Sequence, residues 1–206
     1  MTPVAFYCMS SAEYFLGAVG MINSLRLQGH DEPVYVLDLG MSPWQRELLA
    51  TEATIVAPPA ETPPWLAKTY APLAHPARTM VLIDADMVVT RPLGELIEQA
   101  SEGVIAFENN MDRFDPGWGE ALGLGELRRR PYACSGLVLA GGDTGHEVVR
   151  TLDERQRLVD FERSYFGADE PGYVLRFLDQ KHIRAMYHRV EKDDKNFGRI
   201  FVHFKH

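Results

Sequence analysis

The chain has 206 residues, enough for one domain with a sizeable core. Its formal net charge of -8 argues against nonspecific binding to nucleic acid or anionic membranes, because both need a basic face. Two cysteines, Cys8 and Cys134, are too few for a disulfide framework and lack metal-ligand spacing. The apolar stretch from Tyr14 to Ile22 follows Glu13, with no Lys or Arg before it. It therefore reads as neither a signal peptide nor a membrane span, and a reducing cytoplasm is expected.

Short apolar runs alternate with helix-period segments, which predicts an α/β fold with a mostly parallel central sheet flanked by helices. Val4 to Met9 is the first strand. Ser10 and Glu13 have capping-box spacing, which predicts a helix start there. Phe15, Val19, Ile22 and Leu25 supply its apolar stripe, and Gly29 its stop. Val34 to Leu39 is the second strand, and Ser42-Pro43 with Gln45 opens another helix. A third strand lies near Thr54 to Ala57. Pro58 to Pro64 is a loop, and Trp65 to Ala71 a helical piece disturbed by Pro72. Further on, a helix is expected from Leu93 to Ala100 and a strand from Val104 to Phe107. Asn109 to Arg130 reads as loop, with Arg128-Arg129-Arg130 a solvated basic run. Tyr132 to Leu139 reads as strand, Glu147 to Leu158 and Glu170 to Leu178 as helices. Ile183 to Tyr187 and Ile200 to Phe204 read as strands. Nothing divides the chain, so residues 1–206 are expected to form a single domain.

The most informative stretch is Met80-Val81-Leu82-Ile83-Asp84-Ala85-Asp86-Met87-Val88-Val89, where two carboxylates interrupt an apolar run. In extended backbone, residues two apart share a face, which would place Asp84 and Asp86 ~6–7 Å apart. Like charges at that spacing repel by roughly 3 kcal/mol at an effective dielectric of ~20, and burial adds a desolvation cost. A divalent cation removes both penalties, and hard oxygen ligands suit magnesium or manganese. Ligands of open α/β sheets also bind beyond the carboxyl ends of the strands. A helix-capping Asp beside a solvated one is the plainer alternative for an Asp-x-Asp tripeptide.

These residues resemble the Asp-x-Asp motif of metal-dependent nucleotide-sugar transferases, and the chain as a whole resembles glycogenin and its relatives in glycosyltransferase family eight. Tyr14-Phe15-Leu16-Gly17-Ala18 and Ser24-Leu25-Arg26 are similar to that family's first helix. Lys68 and Asp84-Ala85-Asp86 are similar to its donor-binding block. Asp115-Pro116-Gly117-Trp118 and Ser135-Gly136 resemble its acceptor-side loop and following strand, and Asp169-Glu170 stands where the family has Asp-Gln. His203-Phe204 resembles its C-terminal His motif.

The resemblance implies a glycosyltransferase A-type fold, a nucleoside-diphosphate sugar donor (usually UDP-linked), a carbohydrate or other hydroxyl acceptor, and retention of anomeric configuration. It implies Mn2+, or Mg2+ in its place, held by Asp84, Asp86 and His203, with Asp84 also on the ribose and Asp86 on the diphosphate. Cys8, Ser10, Ser11 and Tyr14 would line the nucleotide, joined by Lys68, Ala85, Ser135 and Gly136. Lys68 would face the phosphates or sugar, and the alternative for it is a solvated helix lysine. Asp169, or Glu170 beside it, would stabilise positive charge at the anomeric carbon, the alternative being acids at a helix N-terminus.

Three departures from the pattern stand out. The family continues its His motif into Gly, two variable residues and Lys-Pro-Trp, where this chain has Phe204-Lys205-His206. A lysine on the diphosphate is then missing unless Lys205 replaces it, which leaves weak activity or a shortened C-terminus as readings. Cys134 stands for the family's Asn, and Glu170 for its Gln. They support an alternative, a degenerate domain that binds a nucleotide sugar without turnover. A sugar nucleotidyltransferase is disfavoured, because Cys8-Met9-Ser10-Ser11 lacks a Gly-rich phosphate loop. Tyr132, Tyr165 and Tyr187 offer no motif for self-glycosylation, and a homo-oligomer stays open.

Overall fold

The computed structural model describes residues 1–59, 67–109, 132–157 and 201–203, and for 107–109, 132–135, 155–156 and 201–203 it describes the main chain. Among these residues the order is β1 (Thr2–Ser10), α1 (Phe15–Leu27), β2 (Val34–Asp38), α2 (Pro43–Leu49), β3 (Thr54–Val56), α3 (Tyr70–Ala74) and β4 (Ala77–Ile83). Then follow β5 (Met87–Val89), α4 (Gly94–Gln99), β6 (Val104–Asn109), β7 (Tyr132–Gly141), α5 (Gly142–Gln156) and β8 (Phe201–His203).

Among the described residues six strands form one sheet in the order β3-β2-β1-β4-β7-β6. β1 pairs in parallel with β2 and β4, and β2 with β3. β7 is antiparallel to both β4 and β6, so among the described strands of this sheet it alone runs against the others. The mostly parallel α/β sheet expected from the alternating pattern is therefore present. A parallel sheet is covered on both faces, which is why its central strands read as continuous apolar runs. Ala5, Tyr7, Met80, Leu82 and Val138 pack on one side with Ala71 of α3 and Val148, Val149 and Leu152 of α5. Phe6, Cys8, Val81, Ile83 and Leu137 pack on the other with Phe15, Ala18, Met21, Ile22 and Leu25 of α1.

α1 ends as its glycine predicts. Gly29 has φ of 80°, a left-handed conformation that glycine adopts without a Cβ penalty. Gly29 N–H donates to Arg26 O and His30 N–H to Leu25 O, each at 3.0 Å, closing a Schellman motif. His30 then becomes a buried tie. Its Nε2 accepts from Leu93 N–H at 2.8 Å, so Nδ1 carries the proton and faces the Glu32 carboxylate at 3.2 Å. Ser24 Oγ plays the same part higher on the helix, accepting from Val89 N–H at 2.9 Å and donating to Met21 O at 2.7 Å.

Several boundaries differ from the sequence expectation. The helix predicted at Ser10 begins at Phe15, because β1 extends through Ser10 and its hydroxyl donates to Ser11 O instead of capping. At Ser42 the capping partner is present, with Ser42 N–H donating to Gln45 Oε1 at 2.8 Å. Of the helical piece expected at Trp65–Ala71, residues 65 and 66 lie outside the described residues, and the helix that is present is α3 at Tyr70–Ala74. Pro72 lies in its first turn, where a missing N–H costs little. The pieces expected at 170–178 and 183–187 lie outside the described residues, as do Arg128-Arg129-Arg130 and the Asp115-Trp118 loop. Among the described residues no helix is long and apolar enough to cross a membrane.

Replacing His30 with Phe keeps a ring against Phe6 but leaves the buried Leu93 N–H without an acceptor. The expected cost is about 1–3 kcal/mol, read as a lower urea midpoint with an unchanged m-value.

Candidate functional site

The carboxyl ends of β1, β2 and β4 lie together, since Ser10 pairs with Asp38 and Tyr7 with Leu82. β4 stops at Ile83. Asp84, Ala85 and Asp86 do not continue it as extended backbone. They form a tight turn closed by Met87 N–H donating to Asp84 O at 3.2 Å, and the chain re-enters as β5. A turn, and not the two-residue strand period, therefore places both acids at this edge. Both side chains are partly exposed, whereas Ala85 is buried in the α1-side core. As a binding residue Ala85 can offer only its main chain.

The turn is pinned from the neighbouring strand. Asp84 N–H donates to Gly136 O at 2.9 Å. Along β7 the pairing with β6 jumps from Val138 opposite Ala106 to Cys134 opposite Phe107, which leaves Ser135 to Leu137 as a bulge. Bulges re-aim backbone near functional edges, and here the bulge lies on the β6 side of β7 while the Asp84 bond to Gly136 continues the β4–β7 register one residue past Ile83–Leu137.

Lys68 reaches the same turn from the other direction. It lies just before α3, and its Nζ donates to Asp84 Oδ1 at 2.5 Å. The Lys68 side chain is 8% exposed and that of Asp84 29%, so a buried ammonium meets a partly exposed carboxylate. The solvated helix lysine considered from sequence is not what the fold contains. Next to Lys68, the fully buried Thr69 donates from Oγ1 to Asp153 Oδ1 of α5 at 2.6 Å. That bond anchors the segment bearing Lys68.

The loop from β1 to α1 forms a further wall. Ser10 is buried, Ser11 half-buried, and Tyr14 is 41% exposed immediately before α1. Gln45, read from sequence as a capping residue, also donates from Nε2 to Ala12 O at 3.1 Å and so ties this loop to α2. Asp38 organises the turn after β2, accepting from Gly40 N–H at 2.9 Å, from Met41 N–H at 2.7 Å and from Arg46 Nε.

The remaining site residues are placed less fully. β8 pairs antiparallel to β5, with His203 opposite Met87, so the His203 backbone lies one residue from Asp86 in register. Ser135 is placed by its backbone within the bulge. Asp169 and Glu170 lie outside the described residues. Among the described residues no three His, Cys, Asp or Glu side chains group as a metal cage. Two acids with hard oxygen donors do suit a magnesium- or manganese-like ion, and a strand carrying a histidine is paired beside them. Gly17, Ser24, His30, Gln45 and Asp153 are the supporting residues that sequence reading assigned no such role. For Ser24 and Gln45 the available signal was a polar side chain at a buried position of a helix.

Cys8 belongs to the same edge. Burial, reinforced by the Asp84 charge and opposed by Lys68, pushes its thiol up to about 12. It should therefore resist alkylation at pH 8 in a Cys134→Ser background until denaturant unfolds the chain, which a thiol-reagent time course reads directly. A folded-state pKa above the unfolded one contributes stability fully below about pH 8.5, and that contribution is lost as pH rises toward the folded value.

No protein-family model matches the sequence, and no curated protein matches it. Solved structures do match the fold. One is the galactosyltransferase LgtC in complex with donor and acceptor sugar analogs, with TM-score 0.62 and 13% identity over 87% of this chain and 72% of that one. An active-site Gln-to-Glu mutant of LgtC matches with TM-score 0.57 and 14% identity over 84% of this chain and 69% of that one. The apo structure of the bifunctional glycosyltransferase WbbM matches with TM-score 0.65 and 14% identity, over all of this chain and 46% of that one. The chain shares its fold, a mixed sheet flanked by helices, with these glycosyltransferases.

Proposed function

We propose that this chain is a metal-dependent glycosyltransferase that moves a sugar from a nucleoside-diphosphate donor, UDP-linked, to a hydroxyl acceptor with retention of configuration. One observation carries the reading. Two acids occupy a turn at the carboxyl edge of the sheet with a desolvated Lys68 on one of them, in a fold shared with a galactosyltransferase solved with donor and acceptor sugar analogs.

Asp84 and Asp86 would hold Mn2+, or Mg2+, with His203 as the third protein ligand. The ion would supply Lewis-acid stabilisation of the negative charge that gathers on the departing diphosphate. Lys68 adds a second positive charge to that leaving group from a site where water is largely excluded, which strengthens its effect. The bond from anomeric carbon to diphosphate oxygen breaks with its electron pair going to the diphosphate, the acceptor hydroxyl oxygen bonds to the anomeric carbon, and the hydroxyl proton passes to the departing diphosphate. Asp169, with Glu170 as the adjacent alternative, would stabilise the positive character left on the sugar. Cys8, Ser10, Ser11, Tyr14, Ser135 and Gly136 would line the nucleotide and sugar. Glu170 is an acid where the family resemblance has Gln, and a Gln-to-Glu change is also the one made in the LgtC active-site mutant.

Asp86→Ala should abolish Mn2+-dependent UDP binding in calorimetry, and unchanged affinity overturns the metal assignment. Lys68→Gln separates two effects. Without the competing cation, Mn2+ alone should bind about tenfold more tightly, as expected for removing a like charge near the ion. Turnover of a UDP-sugar by the same variant should fall. Binding with no release of UDP by the wild type, across a panel of acceptors, would favour the nonhydrolysing binding domain instead.

A further inference from the structure

α1 holds two glycines, Gly17 and Gly20, whose surroundings differ. A Cβ built on Gly17 would stand 2.6 Å from Ala85 O, 3.3 Å from Ala85 C and 3.5 Å from Asp86 Cα. A Cβ on Gly20 would meet nothing within 4 Å. Either glycine weakens a helix interior by roughly 0.5–1 kcal/mol relative to alanine. For Gly17 the structure contains a reason: the helix lies directly on the main chain of the acid turn. Main-chain atoms cannot rotate aside as the end of a flexible side chain can, so a methyl group there must displace either the turn or the helix.

The same helix holds the far end of this segment. Ser24 Oγ accepts from Val89 N–H at 2.9 Å, and that hydroxyl is itself oriented by donating to Met21 O at 2.7 Å. Gly17 and Ser24 are seven residues apart, two helical turns, and therefore lie on one face of α1. The segment from Asp84 to Val89 runs along that face.

We propose that α1 is the positioning element of the metal site: Gly17 admits the helix onto Ala85 and Asp86, Ser24 fixes the strand that leaves them, and together they set how the two carboxylates are presented to a divalent cation. Both act through the backbone of the 85–89 segment and neither is among the ligands assigned to the ion. The inference rests on the metal reading given above for Asp84 and Asp86.

The test compares Gly17→Ala with Gly20→Ala, the same substitution on the same helix. Mn2+ affinity is read by electron paramagnetic resonance well below the melting temperature, and the backbone amide signals of Ala85, Asp86 and Met87 by NMR without metal. Gly17→Ala should shift those amide signals and weaken Mn2+ binding roughly tenfold to a hundredfold, the range for residues that orient metal ligands. Gly20→Ala should leave both unchanged. Ser24→Ala adds no bulk and should move the amide signals and the Mn2+ affinity in the same direction, so it decides the matter if Gly17→Ala fails to fold. Turn signals and Mn2+ affinity in Gly17→Ala and Ser24→Ala that match Gly20→Ala overturn the proposal. A wild type that binds no Mn2+ overturns the metal reading, while the amide signals still report whether α1 sets the turn.

Discussion

The site depends on one backbone constraint. β4 must end at Ile83 while Asp84 remains hydrogen-bonded to Gly136, and the chain must return through Met87 within three residues. A strand that continued would put both acids inside the sheet, where desolvated carboxylates are costly. The turn instead leaves them at an edge with partial access to water and buries the intervening Ala85 in the core. The acids are consequently presented by a segment clamped on both sides, with the β7 bulge behind Asp84 and α1 beneath Ala85.

Charge balance follows from that geometry. In a chain of net charge -8, a turn with two carboxylates needs a local cation, and Lys68 supplies it. Lys68 is the buried member of the pair and would lose its counter-charge if Asp84 were removed, so the lysine must be held as firmly as the acid. The Thr69 bond to Asp153 accounts for that, tying the loop that bears Lys68 to the long helix α5. Asp84 thus joins three remote parts of the chain: the loop before α3, the end of β4 and the bulge of β7. This convergence also explains Cys8, whose thiol is buried between the sheet and α1 and feels both members of the pair.

Much of this was legible from residues alone where the signal is local. The apolar run through Ile83, the glycine stop at Gly29 and the Gln45 partner of Ser42 are short-range effects of burial, φ preference and capping. The Ser10–Glu13 spacing misled because strand pairing with β2 extends through Ser10 and overrides a local capping preference. Pro72 misled because its cost depends on position within a helix, and the helix starts later than the pattern implied. The extended spacing of Asp84 and Asp86 failed for a similar reason. A turn of Asp, Ala and Asp between apolar runs is written in the sequence in the same letters as an uninterrupted strand.

Sequence by itself determined the alternation of strands and helices, the faces that must be buried and the pair of acids that interrupts them, because each follows from the chemistry of neighbouring residues. Tertiary structure alone decided the partners of those acids. Lys68 is sixteen residues from Asp84 in the chain, Gly136 more than fifty, and Gly17 nearly seventy from Ala85. Contacts across such separations arise only when the sheet order brings the strand ends together, and strand order is a property of the packed chain as a whole.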